Sequence, residues 1–443
     1  MKRTAVTLTL TFSLLVSGLA GFVHSSSAVP EAPQLQWSKT YGFIQGDSIL
    51  QVDDGDLVVA ASVGEGPVYV GHGSYGFTTR TGALFKIDLD GNVNWEKPLP
   101  VEPGTLIKTK DGGFALAGTI ERLGAYPHSF FVALAKIDSQ GNILWNQTYE
   151  NMINGTSYQD SGGSVIAILQ TEDGGFVLGG YEFILNYTYD YKAWLMKTDS
   201  LGNVLWLHYY GVEGDSYGSI QNSVQAIAET DDGFIFAGYL DGALVVKTDY
   251  QGTIQWTKTY DHPTEFRSMI KTEDDNFIIA GYRGEYPQTA YVVKLDAAFN
   301  TVWNRTYEEY FAFSIKAGVE EGYLFTNHIY SGNSLIKTDL DGNVEWIYRL
   351  NGSVSSAVQT KDGGYVLTGE IRHPDAIDSE ITDILVERLA SNVRTIPEPF
   401  PVVPIASGVA VVAVVIVAAG LLLQHRKRHR EHLANSIFSR AFD

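Results

Sequence analysis

The 443-residue chain contains no cysteine. Disulfides, thiolate metal sites and cysteine nucleophiles are thereby excluded, so stability must come from packing and closure of the backbone. Cations are also scarce: 31 Lys and Arg stand against 51 Asp and Glu, a formal net charge of −20. That balance opposes binding to nucleic acid and favours solubility or association with cations. Between residues 35 and 390 no segment sustains a helical period of apolar residues. Familiar catalytic signatures are missing as well. There is no Gly-x-Ser-x-Gly elbow, P-loop or His-Glu-x-x-His. His24, His72, His128, His208, His262, His328 and His373 lie far apart in sequence, with no two at metal-ligand spacing.

What the chain has is repetition. Lys, Asp, Gly and Trp recur in the order Lys-x-Asp-x-x-Gly-x-x-x-Trp, most fully as Lys86-Ile-Asp88-Leu-Asp90-Gly91-Asn92-Val-Asn-Trp95 and again from Lys337 to Trp346. Further copies end on Trp145, Trp206 and Trp256, and one ending on Trp303 has Phe299 in place of Gly. The seventh copy is split, with Trp37 near the start and Glu387-Arg388-Leu389 near the end. A second motif, as in Asp111-Gly-Gly-Phe, Asp173-Gly-Gly-Phe, Asp232-Gly-Phe and Asp362-Gly-Gly-Tyr, alternates with the first. Weaker copies start at Asp54, Asp275 and Glu321. Trp-to-Trp spacings of 43 to 61 residues fall in the range of propellers and solenoids.

Asp-Gly between apolar runs signals a hairpin, because the turn needs φ > 0 and Gly supplies it without steric cost. Each unit reads as four strands rich in Val, Ile, Phe, Tyr and Trp. Seven such units predict an all-β, seven-bladed β-propeller, since radial repetition leaves only short, protected sheet edges. The last unit lacks its Trp strand while Leu35-Gln-Trp37-Ser-Lys-Thr-Tyr41 supplies a spare, so the N-terminal strand should close the ring. Trp37, Trp95, Trp145, Trp206, Trp256, Trp303 and Trp346 are expected to be structural wedges between blades. The motif Asp residues should accept N–H bonds within their own turns.

This repeat resembles that of archaeal and bacterial cell-surface propellers, whose units read like "LVKTDSDGNIQWTKTYGG" followed by "DGGYVLAGYT". The resemblance covers about residues 35 to 390 and implies the fold; it does not single out one activity, since propellers host lyases, hydrolases, adhesins and scaffolds alike. A looser similarity is to pyrroloquinoline quinone propellers. Here the Asp-to-Gly spacing is three rather than four, the units number seven rather than eight, and the vicinal Cys pair of some of those dehydrogenases is impossible.

The two ends give an expected address. Residues 1–28 read as a secretory signal peptide, with Lys2-Arg3, an apolar stretch and Ser26-Ser27-Ala28 as the cleavage site. The ectodomain is then 29–390, followed by a Pro-rich stalk over 391–401. Residues 402–423 carry no charge over a length that spans a bilayer, and 424–443 form a basic tail retained in the cytoplasm. Ile396-Pro397-Glu398 with Phe400-Pro401 ahead of the apolar segment resembles archaeosortase-type sorting tails, with Pro399 interrupting the usual Pro-Glu-Phe. The expected product is a single-pass protein with its propeller outside the cell.

Outside the membrane, Asn146, Asn154, Asn186, Asn304 and Asn351 are candidate N-glycosylation sites. No cofactor is predicted. Calcium is the ion the pattern comes nearest to holding, through Asp88, Asp90 and Asn92 or Asp339, Asp341 and Asn343, although Gly comes fourth rather than sixth and no Glu follows at the twelfth position. Two aromatic-rich insertions are candidate binding loops: one with Tyr69, Tyr75 and Phe77, the other with Tyr187 and Tyr189 beside Trp194. The composition thus points to a surface protein that binds a protein or glycan partner. The second reading is an extracellular propeller enzyme, polysaccharide-active or quinoprotein-like, which would need polar side chains converging at the channel.

Overall fold

The computed structural model describes residues 31–391, apart from 44, 65–66, 72–73, 78–79, 123–128, 151–160, 187, 212–221, 241, 261–264, 285–288, 308–311, 318–321, 328–332 and 373–381. The leader, most of the stalk, the apolar segment and the tail lie outside these residues, as do Asn154 and Tyr187. No described helix is long and apolar enough to cross a membrane.

Among the described residues the strands form seven four-stranded antiparallel blades. Blades two and three are joined in one sheet by a single parallel pairing, Phe130 with Gly162. The innermost strands of blades one to seven are Gln45–Gln51, Glu102–Lys108, Ser161–Gln170, Ser223–Thr230, Glu265–Lys271, Ala312–Ala317 and Ser356–Gln359. The outermost strands in blades one to six are those that carry Trp95, Trp145, Trp206, Trp256, Trp303 and Trp346. In blade seven that place is taken by the N-terminal strand Leu35–Phe43, which pairs with Thr382–Leu389 in the register Trp37 with Arg388 and Tyr41 with Ile384. The ring is closed by the strand the sequence had left over.

Seven apolar clusters hold the ring, one at each interface between blades. The closing cluster joins Val366, Ile384 and Val386 of blade seven to Ile49, Leu57 and Val59 of blade one, with Trp37 packed against it. The repeated Trp is therefore an interface residue. In blade two Trp145 lies over Gly202 in the turn of blade three, so closely that a Cβ at Gly202 would stand 2.8 Å from the indole. That Gly has φ 81°, so the position is closed to side chains on two counts.

The two sequence motifs meet in an ion pair within blades one to five and seven. Lys136 reaches Asp111 at 2.8 Å, Lys197 reaches Asp173 at 3.0 Å and Lys247 reaches Asp232 at 2.6 Å. Lys86 pairs in the same way with Asp54, and Arg388 with Asp362 at 2.5 Å. In blade six Lys337 pairs with Glu345 at 3.1 Å, and the motif residue Glu321 lies outside the described residues. These contacts put the described first-to-second and third-to-fourth strand turns on one face, the turn face. The longer connections therefore emerge on the opposite, loop face. So does the added hairpin of blade one, Pro67–Gly71 with Ser74–Phe77.

Candidate functional site

Each innermost strand starts at the loop face, and six of them carry a register shift at the same point. The extra residues are Asp47, Gly104, Ile166, Gln225, Arg267 and Phe313, reading from blade one to blade six. In blade seven Ser355 holds the equivalent place, its N–H bonded to the Thr368 carbonyl at 2.9 Å while Ser356 pairs with the same residue. A β-bulge re-aims the side chain of its extra residue. Asp47, Gly104, Ile166, Gln225, Arg267 and Ser355 accordingly all line one cavity of about 900 Å³, which opens at the mouth of the central channel. That volume suits a small-molecule or short oligomeric ligand.

A second ring stands just above the first, formed by the residue after the repeated Gly of each second strand. It reads Ser62, Thr119, Tyr181, Tyr239, Tyr282 and Glu370, with His328 outside the described residues. Tyr181, Tyr239 and Tyr282 belong to consecutive blades and line the cavity together with Tyr191, whose ring meets that of Tyr181 edge-on at 5.3 Å. One arc of the mouth is thus aromatic. The opposite arc, from blades seven, one and two, holds carboxylates.

Polar groups on both arcs are fixed by short contacts. Glu265 accepts from Tyr282 at 2.6 Å and from Gln225 at 3.1 Å, and pairs with Arg267 at 2.9 Å. Across the mouth, Ser62 donates to Asp47 at 2.8 Å. Burial pushes the Asp47 carboxyl up to about 8, against the Ser62 bond that lowers it and with help from the nearby carboxylates of Glu102 and Glu370. Gln45 bonds to Ser355 at 3.2 Å, linking blade one to blade seven at the rim.

Deeper in the channel sits Lys316, on the innermost strand of blade six. The other six blades place Leu50, Ile107, Leu169, Ala228, Ile270 and Val358 at the matching position, two residues beyond the small residue that follows the bulge. Lys316 is exposed to the channel, while the protein packed around the channel partly desolvates its ammonium and lowers its pKa. No hydrogen bond or ion pair reaches it from the described residues.

The residues singled out from the sequence are distributed unevenly around this site. Tyr69, Tyr75 and Phe77 fall in the added hairpin of blade one, and Asn186 and Tyr189 in the long hairpin of blade three, all on loop-face elements. Trp194 corrects the expectation of an exposed binding residue. It is fully buried, packed with Val132, Leu134 and Met196 between blades two and three. The strand alternation that carries Tyr191 toward the cavity carries Trp194 into the core. Asn146 and Asn304 occupy matching places on outermost strands, the first exposed and the second half-buried, and Asn351 is exposed just past an outermost strand.

The Asp turns have their oxygens engaged. Asp88 accepts from the N–H groups of Asp90 and Asn92 at 2.9 and 2.8 Å and from the Asn92 amide at 2.9 Å. Asp339 repeats the arrangement with Asp341 and Asn343. Among the described residues no group of three His, Asp or Glu is placed to hold a metal. The bulge residues and Lys316 escaped sequence reading because a one-residue bulge leaves no mark on its own. Aligning the seven innermost strands with one another would have exposed both.

No family model and no curated protein sequence matches the chain. Solved structures do resemble it. A protein of unknown function from Bacteroides caccae is 14% identical over 62% of this chain and 93% of its own, with a TM-score of 0.42. Virginiamycin B lyase from Staphylococcus aureus is 12% identical over 79% and 98%, with a TM-score of 0.46. The Dos1 propeller is 10% identical over 80% and 95%, with a TM-score of 0.45. At these identities the likeness is one of fold.

Proposed function

We propose that this chain is a membrane-anchored, extracellular β-propeller that binds a protein or glycan of the cell envelope through its loop face. The observation that carries the reading is the division between the two faces. Repeated turns, Lys–Asp pairs with the lysine buried and Trp wedges occupy one side, whereas residues that differ from blade to blade surround an open polar cavity on the other. In a repeat protein, positions shared by all units build the scaffold and those that diverge at one surface are free to recognise a ligand. The address rests on the N-terminal leader and on the uncharged segment 402–423 with its basic flank. The chain leaves the propeller at the turn face, where the Ala390 N–H bonds to the Gln34 carbonyl at 2.8 Å. A tether through the stalk would start from that side.

The test uses detergent-solubilised full chain and isolated envelope material of the host. The wild type should be retained, a Gln225→Ala/Tyr239→Ala variant should be lost, and a turn-face control, Lys361→Ala, should behave as wild type. Equal retention of all three would refute recognition by the loop face. Protease added to intact cells should remove the propeller and spare the tail; protection of the propeller would refute the topology.

One observation favours the enzyme reading. Burial pushes the Asp47 carboxyl up to about 8 in the cavity wall, with the Glu102 carboxylate nearby, the kind of shift that a general acid in polysaccharide cleavage would need. Turnover of a polysaccharide by the wild type that is lost in Asp47→Asn would promote this reading over binding alone.

A further inference from the structure

The seven blades serve as controls for one another, and Lys316 is where they disagree most sharply. Six aliphatic residues show that the site needs no charge for the propeller to fold. An exposed ammonium in a cavity where the other blades present aliphatic side chains is the feature that an incoming anion would recognise. No hydrogen bond or ion pair to Lys316 comes from the described residues, so its ammonium is available to an anion that enters the channel. The same cavity presents Tyr181, Tyr191 and Tyr239 along one arc, and the Gln225 amide and Ser355 hydroxyl among its polar groups. Tyrosine rings offer flat apolar faces with a polar tip, which suits the alternating faces and hydroxyls of a sugar ring.

We infer that the channel mouth binds an acidic saccharide, its ring lying against the tyrosine arc and its carboxylate or sulfate paired with Lys316. This rests on the loop-face reading above and narrows it to one ligand class. Arg267 does not compete for the anion, because Glu265 already pairs with it at 2.9 Å. A charge-assisted contact of this kind discriminates strongly against a neutral ligand.

Calorimetric titration of the solubilised full chain would use three probes: hexameric galacturonate, a sulfated glucan and neutral maltohexaose. Binding of either acidic probe, and not of maltohexaose, is expected, and the stronger of the two identifies carboxylate or sulfate as the group bound. Lys316→Met should weaken that binding at least about tenfold with an unchanged melting temperature, as the aliphatic residues of the other blades foretell, and Lys316→Arg should restore most of it. Equal binding of maltohexaose, no effect of Lys316→Met, or no binding of any probe would overturn the assignment. If the assignment fails while the Gln225/Tyr239 variant still loses retention on envelope material, only the ligand class falls. If both fail, the loop face is not the recognition surface.

Discussion

The hydroxyl of Tyr149 in blade two donates to the carbonyl of Gly202 in the turn of blade three, at 2.8 Å. Tyr41 reaches Gly91, Tyr210 reaches Gly252 and Tyr307 reaches Gly342 in the same way, each at 2.7 Å, and Tyr260 reaches Phe299 at 3.1 Å. Each of these tyrosines stands four residues after a motif Trp, so one strand delivers an indole wedge and a hydrogen bond to the same turn of its neighbour. Burial is the main cause that raises the pKa of Tyr149, so the donor stays protonated throughout the physiological range. In a chain without cysteine, this clasp and the apolar interfaces join consecutive blades.

Tyr149→Phe should therefore cost about 1 kcal/mol, the net worth of one hydrogen bond, with the ring still packed. Blades one and six have Leu99 and Leu350 at the matching place, so the ring tolerates a missing clasp. Urea denaturation of the Tyr149→Phe and Tyr149→Leu variants measures the two parts. A Phe variant as stable as wild type would show that the clasp is geometric only.

The Lys–Asp pairs predict an asymmetric response. Lys197 is buried, 5% exposed, and also donates to the Thr198 carbonyl at 2.9 Å, whereas Asp173 faces solvent. Removing the carboxylate in Asp173→Ala strands a buried ammonium and breaks the turn bonds from Thr171 and Gly175, at 2.5 and 2.9 Å. A loss of roughly 3 kcal/mol is expected. Lys197→Met removes the buried charge and leaves an exposed carboxylate, for a loss of about 1 kcal/mol or less. Equal losses in melting experiments would contradict the burial argument.

The turn signals and alternating apolar runs made the blade count, the strand count and the closing strand legible in the sequence, because each follows from local backbone chemistry repeated seven times. Pairing between the motifs was not legible, since Lys197 and Asp173 meet only once the third strand folds back beside the first turn. Trp194 misled for a related reason: sequence adjacency to aromatic Tyr189 and Tyr191 suggested a common surface, but strand pleating sent Trp194 inward. The channel mouth depends on seven segments scattered over 300 residues, and its bulges become visible only in the pairing register.

Phe299 tests whether strain or packing decides at the one third-to-fourth turn lacking Gly. It holds φ 62°, which costs an L side chain on the order of 1 kcal/mol. Against that, its ring stacks on Phe277 at 5.1 Å and meets Trp256 at 4.9 Å. Losing both contacts should cost roughly 2 to 3 kcal/mol, so Phe299→Gly is expected to destabilise the protein by about 1 to 2 kcal/mol in spite of the relieved backbone. A more stable glycine variant would show that the strain dominates.

Asp47 gives the channel a pH signature. Its folded pKa of about 8 lies above the ordinary 3.8 of an aspartate, chiefly because of burial, so between these values the folded state holds a proton that the unfolded chain releases. The stability that this protonated carboxyl contributes is complete below pH 4 and declines as pH rises toward 8, beyond which the carboxylate is ionised in both states. Water in the channel screens part of the effect, leaving a decline on the order of 2 kcal/mol. Asp47→Asn keeps an acceptor for the Ser62 hydroxyl and cannot ionise, so its stability should stay flatter between pH 5 and 8.5. Thermal melts of both proteins across that interval should show the wild type losing stability steadily up to about pH 8 relative to the variant. Parallel curves would mean that Asp47 ionises as freely in the folded propeller as in the unfolded chain, and would remove it as a candidate acid.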